Sequence, residues 1–289
     1  MIPPRQQWCI QIDVTNHCSR QCSNCTRMLA HVPKRERFFM RRNEFREAVD
    51  ALRDFPEESE PHPDGQNAGI KVVGIIGGEP LLHPDFEAIC KTMQEAFPKK
   101  RNRGLWTALE WQTHRYAEAV QNTFGEGGYI NHNMHDTEVM HHPFLVAVED
   151  LVPDEAAMWK LIDACPLQHI WSSSITPKGF FFCEVAAAMD MVFGGPGGMP
   201  VSPACWQHDL AEYRGQIERW CPRCGFAAQN LPKRRDVDQM DDLSEGNLKR
   251  LRQVGSPRVE AGAYEVYAGE YQSDAGGAHP LHYMRKPGR

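Results

Sequence analysis

Three cysteines, Cys18-x3-Cys22-x2-Cys25, follow a short β-rich run at 8–13, and four more, Cys165, Cys183, Cys221 and Cys224, are spread through the later half of the chain. Ten cysteines in 289 residues need a reason, because a reducing compartment does not sustain structural disulfides and clustered thiols there point to metal or catalysis. The compartment is inferred from composition. Lys and Arg total 32 against 38 Asp and Glu, giving a net charge of −6 and a pI near 6.1, which removes the general attraction to duplex nucleic acid or anionic lipid. Mean hydropathy is −0.54, and no apolar stretch approaches the roughly 20 residues that span a bilayer. The first eight residues lack the basic and apolar regions of a secretory signal. A cytoplasmic chain with no membrane and no duplex nucleic-acid partner is expected.

The rest of the pattern is an alternation of strands and helices. The run 70–76 is β-branched and nearly continuous, as in a strand buried on both faces of a parallel sheet. A helix follows at 85–97, and an earlier one is expected after Asn43, a possible cap, with Phe45, Ala48, Val49 and Leu52 at helical spacing up to Pro56. Further strands are expected at 104–109, 128–133 and 144–148, with helices at 116–123 and 154–164. Repeated βα units imply a parallel sheet with helical crossovers. Past Cys165 the pattern becomes a strand at 170–175, a Thr-Pro-Lys-Gly turn and a hairpin arm at 180–183. The polar stretch 57–67 reads as a surface loop, the Gly-Gly-Pro-Gly-Gly run at 194–198 as a mobile loop, and the tail from Arg258 as lacking regular structure.

Three thiolates close together on a loop can chelate three corners of a cubane cluster and leave its fourth iron open. Zinc is the alternative, but a structural zinc takes four protein ligands, and no fourth Cys or His stands at finger spacing, although His17 and His31 are near. Directly after the second strand comes Gly77-Gly78-Glu79-Pro80. Adjacent glycines allow close approach of the backbone to a ligand, and a Glu can accept from an ammonium; alone, the segment also reads as a turn before a helix.

Together the triplet and this Gly-Gly-Glu-Pro segment resemble the radical S-adenosylmethionine superfamily. The resemblance implies an α/β fold, a partial (β/α)6 TIM-like barrel. It implies a 4Fe–4S cluster on Cys18, Cys22 and Cys25, with S-adenosyl-L-methionine bound to it and Gly77, Gly78, Glu79 and Pro80 holding the methionyl amino group. It also implies cofactor contacts at the ends of strands 4 and 5, where Asn131, Asn133 and Glu149 stand. One residue departs from the pattern: Asn24 occupies the position before the last cysteine, which is usually aromatic, so packing on the adenine side is in doubt.

Two ligands bracketing a hairpin, Cys165 and Cys183, and a later Cys221-x2-Cys224 pair suit a four-thiolate site, either structural zinc or a fully ligated iron–sulfur cluster. The hairpin with Gly179 before Cys183 resembles the opening of the SPASM and shorter twitch extensions of the same superfamily, which implies a small C-terminal twitch-like module with an auxiliary 4Fe–4S cluster. In length and cysteine layout the chain is similar to the superfamily's 2-deoxy-scyllo-inosamine dehydrogenases and neomycin-type epimerases. The expected division is 1–164 for the barrel, 165–257 for the last strand and auxiliary module, and 258–289 for the tail.

Of the remaining thiols, Cys9 and Cys90 read as small buried hydrophobes. Cys205, in a Gly- and Pro-rich loop beside Trp206 and His208, reads as a candidate hydrogen-atom donor or substitute ligand. His132, His135, His141 and His142 lack a clean helical pair and read as solvated or substrate-facing loop residues. The resulting expectation is an enzyme that uses a 5′-deoxyadenosyl radical on a small polar substrate and is served by a low-potential electron donor of the flavodoxin or ferredoxin type. Dehydrogenation would pass the second electron to the auxiliary cluster; a redox-neutral epimerase or isomerase would use Cys205. A non-catalytic iron–sulfur or zinc scaffold is the reading from another class.

Overall fold

The first strand, β1 (Cys9–Thr15), is buried along its whole length. Its Ile10, Ile12 and Val14 join the main core with Phe45, Ala48 and Val49 of α1 (Arg42–Ala51), so one face of the strand packs on helix. The computed structural model describes residues 1–59, 69–133, 138–170 and 172–271. His135, most of the 57–67 loop and the end of the tail lie outside them.

Two βα steps and a further strand follow as expected. They are β2 (Val72–Gly77) with α2 (Phe86–Ala96), β3 (Arg103–Thr107) with α3 (Ala117–Phe124), and then β4 (Tyr129–His132). At the start of α1 the cap is Arg41 rather than Asn43, because Glu44 one turn in reaches back to the Arg41 N–H at 2.9 Å. A two-residue strand, β5 (Met140–His141), comes next, then the short helices α4 (Val148–Leu151), α5 (Glu155–Asp163) and α6 (Leu167–Ile170).

The strand expected at 144–148 is not formed. Phe144, Leu145, Val146 and Ala147 are all buried, but their polar backbone is met by the C-terminal part of the chain: Gly225 N donates to Phe144 O at 2.8 Å, Ser244 N to Leu145 O at 3.1 Å, and Ser244 Oγ accepts from Ala147 N at 3.0 Å. A buried apolar run has the same signature whether a strand or a loop supplies its hydrogen bonds.

The hairpin is present as β6 (Ser173–Thr176) and β7 (Gly179–Phe181), antiparallel, with Thr176 opposite Gly179. The six-stranded sheet runs β4-β3-β2-β1-β6-β7, and its other pairings are parallel. The chain is thus mixed α/β around a mainly parallel sheet. Among the described residues five strands, β4-β3-β2-β1-β6, run parallel, and β6 joins beside β1 rather than beyond β4.

Past the hairpin come α7 (Glu184–Val192), α8 (Arg214–Trp220), β8 (Arg234–Arg235) paired with β5, β9 (Asp241–Leu243), α9 (Glu245–Gln253), α10 (Pro257–Glu260) and β10 (Tyr264–Val266) paired with β9. The expected unstructured tail therefore begins with a helix and a strand. The glycine run at 194–198 is tied down rather than free. Buried Asp190 pairs with Lys178 and accepts from Gly197 N at 3.1 Å, and Lys178 Nζ donates to Gly195 O at 2.7 Å. Phe226, Leu243, Leu248 and Leu251 lie in the same apolar cluster as the β1 residues, so one core spans the early and late parts of the chain. No helix among the described residues is long and apolar enough to cross a membrane.

Candidate functional site

The triplet loop leaves the carboxyl end of β1. Its three thiols are partly covered, and Cys18 and Cys25 both raise Cys22 while Cys18 raises Cys25, so they share one neighbourhood. Burial pushes Cys25 up to about 11, against the pull of N–H donors from Leu29 and Arg27. Cys22 is raised further, by burial first and then by the negative fields of Cys25 and Asp236. Arg20 N donates to Cys18 Sγ at 3.4 Å. Partly covered thiols, two of them with N–H donors aimed at sulfur, are suited to a metal, which holds a coordinating thiol deprotonated outright.

The Gly-Gly-Glu-Pro segment lies directly against this loop. Gly78 N donates to Thr15 O and Glu79 N to His17 O, both at 2.7 Å. The glycines are required by contact: a Cβ at Gly77 would stand 2.1 Å from Thr15 O, and one at Gly78 2.1 Å from His17 O and 3.1 Å from the Cys18 Cβ. Glu79 is only 1% exposed. Its Oε1 accepts from Leu81 N at 3.0 Å and from the Thr107 hydroxyl at 2.7 Å, and its Oε2 accepts from Ala108 N at 2.8 Å. The carboxylate thus joins the ends of β2 and β3, with three of about four acceptor positions engaged. Pro80 opens a single helical turn, Pro80–Leu82.

The weaker site candidates divide. Asn131 lies on β4 opposite Trp106 and bonds the Tyr129 side chain, and Asn133 is exposed just past β4, its N–H donating to Thr107 O at 2.9 Å. Both are at the end of the sheet that carries Glu79. Glu149 is not: it sits on α4, pairs with Arg250 at 2.6 Å, and its N–H donates to Pro222 O, beside the second cysteine set. The unformed strand at 144–148 is the reason.

Of the two histidines near the triplet, His31 has both ring nitrogens engaged. His17 stacks on Phe39 with ring centres 4.3 Å apart, and His31 lies between Asp241 at 2.9 Å and Ser256 Oγ at 2.8 Å. The later histidines are not uniformly solvated either. His142 is buried between Phe144 and Phe226, bonds Gly225 O at 2.9 Å, and is pushed down to about 4 by burial. His141 meets Ser23 O at 2.7 Å, and His132 stands near Glu110.

Cys165, Cys183, Cys221 and Cys224 line one cavity, together with apolar side chains that include Phe182, Met189 and Trp220. Burial raises all four thiols, Cys165 to about 11 and Cys183 to about 12, and their mutual repulsion adds to this. Phe226 N donates to Cys224 Sγ at 3.4 Å, and N–H groups of Leu167, Val185 and Ala186 face Cys165 and Cys183. Four thiols converging from distant positions fit a fully thiolate-ligated group. Among the described residues no group of His, Cys, Asp or Glu is drawn together as the ligand set of a single ion.

One residue that the sequence did not single out connects the two sets. Arg27, two positions after Cys25, forms a buried ion pair with Asp13 on β1 and donates to Glu184 O at 3.0 Å, next to Cys183. Asp13 also accepts from Ser174 Oγ at 3.1 Å. In the sequence Arg27 is one arginine among others near the triplet, and its burial, which marks it out, is not visible there.

Cys205 is placed elsewhere. It is buried on a 3-10 turn, Cys205–Gln207, where Ala204 N donates to Ala51 O at the last residue of α1 and Trp206 packs edge-on against Phe55. Because α1 returns from the triplet end of the sheet, this is the opposite end, and Cys205 is neither a ligand in the cavity nor a donor beside the triplet. Cys9 and Cys90 are buried in apolar clusters, as expected.

No protein-family model matches the chain, and comparison with curated proteins found no match. A solved structure described as the crystal structure of BtrN in complex with AdoMet and 2-DOIA overlaps with a TM-score of 0.43 at 17% identity, over 75% of this chain and 92% of that one. At that overlap the likeness carries no functional conclusion.

Proposed function

We propose that this chain is a radical S-adenosylmethionine enzyme that dehydrogenates a small polar substrate. In this reading Cys18, Cys22 and Cys25 hold a 4Fe–4S cluster that binds S-adenosyl-L-methionine, and Cys165, Cys183, Cys221 and Cys224 hold an auxiliary 4Fe–4S cluster in a twitch-like module. The observation that carries it is where the two motifs meet: Gly78 N continues the β1–β2 pairing at Thr15 O, and Glu79 N then bonds His17 O at 2.7 Å, beyond the end of both strands and immediately before Cys18, so close that a Cβ at Gly78 would stand 3.1 Å from the Cys18 Cβ.

When bound, these groups supply the redox chemistry, a 5′-deoxyadenosyl radical that takes a hydrogen atom from the substrate and an acceptor for its second electron. The chain's own residues orient and enclose. Gly77 and Gly78 keep the backbone close to the triplet, Glu79 fixes the ends of β2 and β3, and Asn131 and Asn133 offer amides at the end of β4. One electron would enter from a low-potential carrier of the flavodoxin or ferredoxin type, in a cytoplasmic setting; the substrate radical would lose a proton and pass one electron to the auxiliary cluster, which would return it to the carrier, so that no net reductant is consumed. The redox-neutral alternative is less well supported, because its named hydrogen donor, Cys205, is buried at the other end of the sheet.

Elemental analysis of the anaerobically reconstituted chain tests the cluster assignment. About eight irons are expected, and about four in the Cys18, Cys22, Cys25→Ala variant, by four irons per cubane. Zinc without iron in that variant contradicts the auxiliary-cluster part.

A further inference from the structure

The backbone of the triplet loop is met, group by group, by the C-terminal part of the chain. Ser23 N donates to Asp236 O at 2.8 Å and Met240 N to Ser23 Oγ at 3.0 Å. Arg258 Nη2 donates to the carbonyls of Gln21 and Cys22, each at 3.2 Å. Asn24 N donates to Asp241 Oδ1, Asn24 Nδ2 to Asp242 Oδ2 at 2.7 Å, and Asp242 N returns a bond to Asn24 Oδ1 at 2.9 Å. Asp241 is buried and held by Arg258 and His31, each at 2.9 Å, and its carboxyl stays below its usual range because the bonds and charges of His31 and Arg258 outweigh desolvation, the largest single influence.

Asn24 has φ +46°, a left-handed conformation that Asn tolerates better than most residues. Its identity is therefore explained by this end of the molecule: it must turn the loop between Cys22 and Cys25 and offer both a donor and an acceptor to Asp242.

We propose that residues 236–258 are a positioning clamp for the triplet loop, with Asn24, Asp241 and Asp242 at its centre setting where the Cys22 and Cys25 thiols stand. None of these residues touches a reacting atom; they act through the cysteines. The proposal rests on the cluster reading of the triplet.

The test uses the full, anaerobically reconstituted chain and follows iron release to an excess of chelator. The auxiliary phase is identified in the Cys18, Cys22, Cys25→Ala protein. Asn24→Asp places a third carboxylate beside Asp241 and Asp242 and removes the Nδ2 donor. It is expected to speed the triplet phase by about tenfold or more and to shift the midpoint potential of the triplet cluster, while the auxiliary phase stays within about twofold. Asp242 also pairs with Arg234 at 2.6 Å, and Arg234 has Glu265 as a second partner. Combining Asn24→Asp with Asp242→Asn exchanges donor and acceptor between the two side chains and leaves Arg234 an amide oxygen and Glu265, so both readouts should return toward wild type, and Asp242→Asn alone measures the share lost with the Arg234 pair. A double variant no better than the single, or both phases accelerating together, overturns the clamp. Wild-type protein that loads no iron on the triplet overturns the cluster reading itself, and shows this before any variant is made.

Discussion

The Thr107 hydroxyl donates to Glu79 Oε1 at 2.7 Å, within a carboxylate that also takes the N–H groups of Leu81 and Ala108. Glu79 therefore has a structural duty before any cofactor arrives. In Glu79→Gln the amide turns an N–H₂ toward one of these donors, leaving it unsatisfied at a cost of about 1–3 kcal/mol. Urea unfolding of the metal-free protein should show this loss. Unchanged stability combined with weakened S-adenosylmethionine binding would instead make Glu79 a ligand contact alone.

Arg27 and Asp13 form a buried ion pair, with side chains 7% and 5% exposed. Removing one partner of such a pair leaves a buried charge, typically at a cost of about 3–5 kcal/mol. Arg27→Met should lose stability on that scale, and Arg27→Met with Asp13→Asn should recover a large part of it. A double-mutant cycle with no coupling contradicts the pairing.

His142 predicts a pH dependence of stability. Its folded pKa is pushed down to about 4 by burial, against roughly 6.5 in an unfolded chain. Between these values the unfolded state binds more protons, so the stability it contributes is complete above roughly 6.5 and is lost as pH falls through that window, on the order of 3 kcal/mol. His142→Gln, which keeps a donor for Gly225 O, should flatten the slope of stability between pH 7 and about 4.5. An unchanged slope assigns the dependence to other groups.

For Cys205 the expected chemistry is none. Cys205→Ala removes one buried sulfur from beside Phe55 and Trp206, and a loss of about 1–2 kcal/mol is expected from the cavity left behind. Turnover and iron content should be unaffected. Loss of product with 5′-deoxyadenosine still formed would return Cys205 to the role of hydrogen donor.

The parts of this molecule that could be read from the sequence are those whose periodicity and spacing are local. β1, β2, α2, α3 and the β6–β7 hairpin fall near their expected positions because apolar period and turn chemistry are properties of adjacent residues. The run 144–148 and the side of β1 on which β6 joins depend on partners far along the chain, which hydropathy does not encode. The same holds within the site. The thiols and the glycine pair carry their spacing with them, whereas the links made by Arg27, and by Asp241 with Arg258, exist only once distant segments meet. Asn24 appeared as a departure from a pattern, and its reason became visible only with Asp242 opposite it.

The central claim is tested most directly by measuring 5′-deoxyadenosine. The reconstituted chain is mixed anaerobically with S-adenosylmethionine and a strong small-molecule reductant, beside its Cys18, Cys22, Cys25→Ala variant. The account predicts 5′-deoxyadenosine from the wild type and none from the variant, whose auxiliary iron is retained. No 5′-deoxyadenosine from iron-loaded wild type, or equal amounts from both proteins, would contradict it.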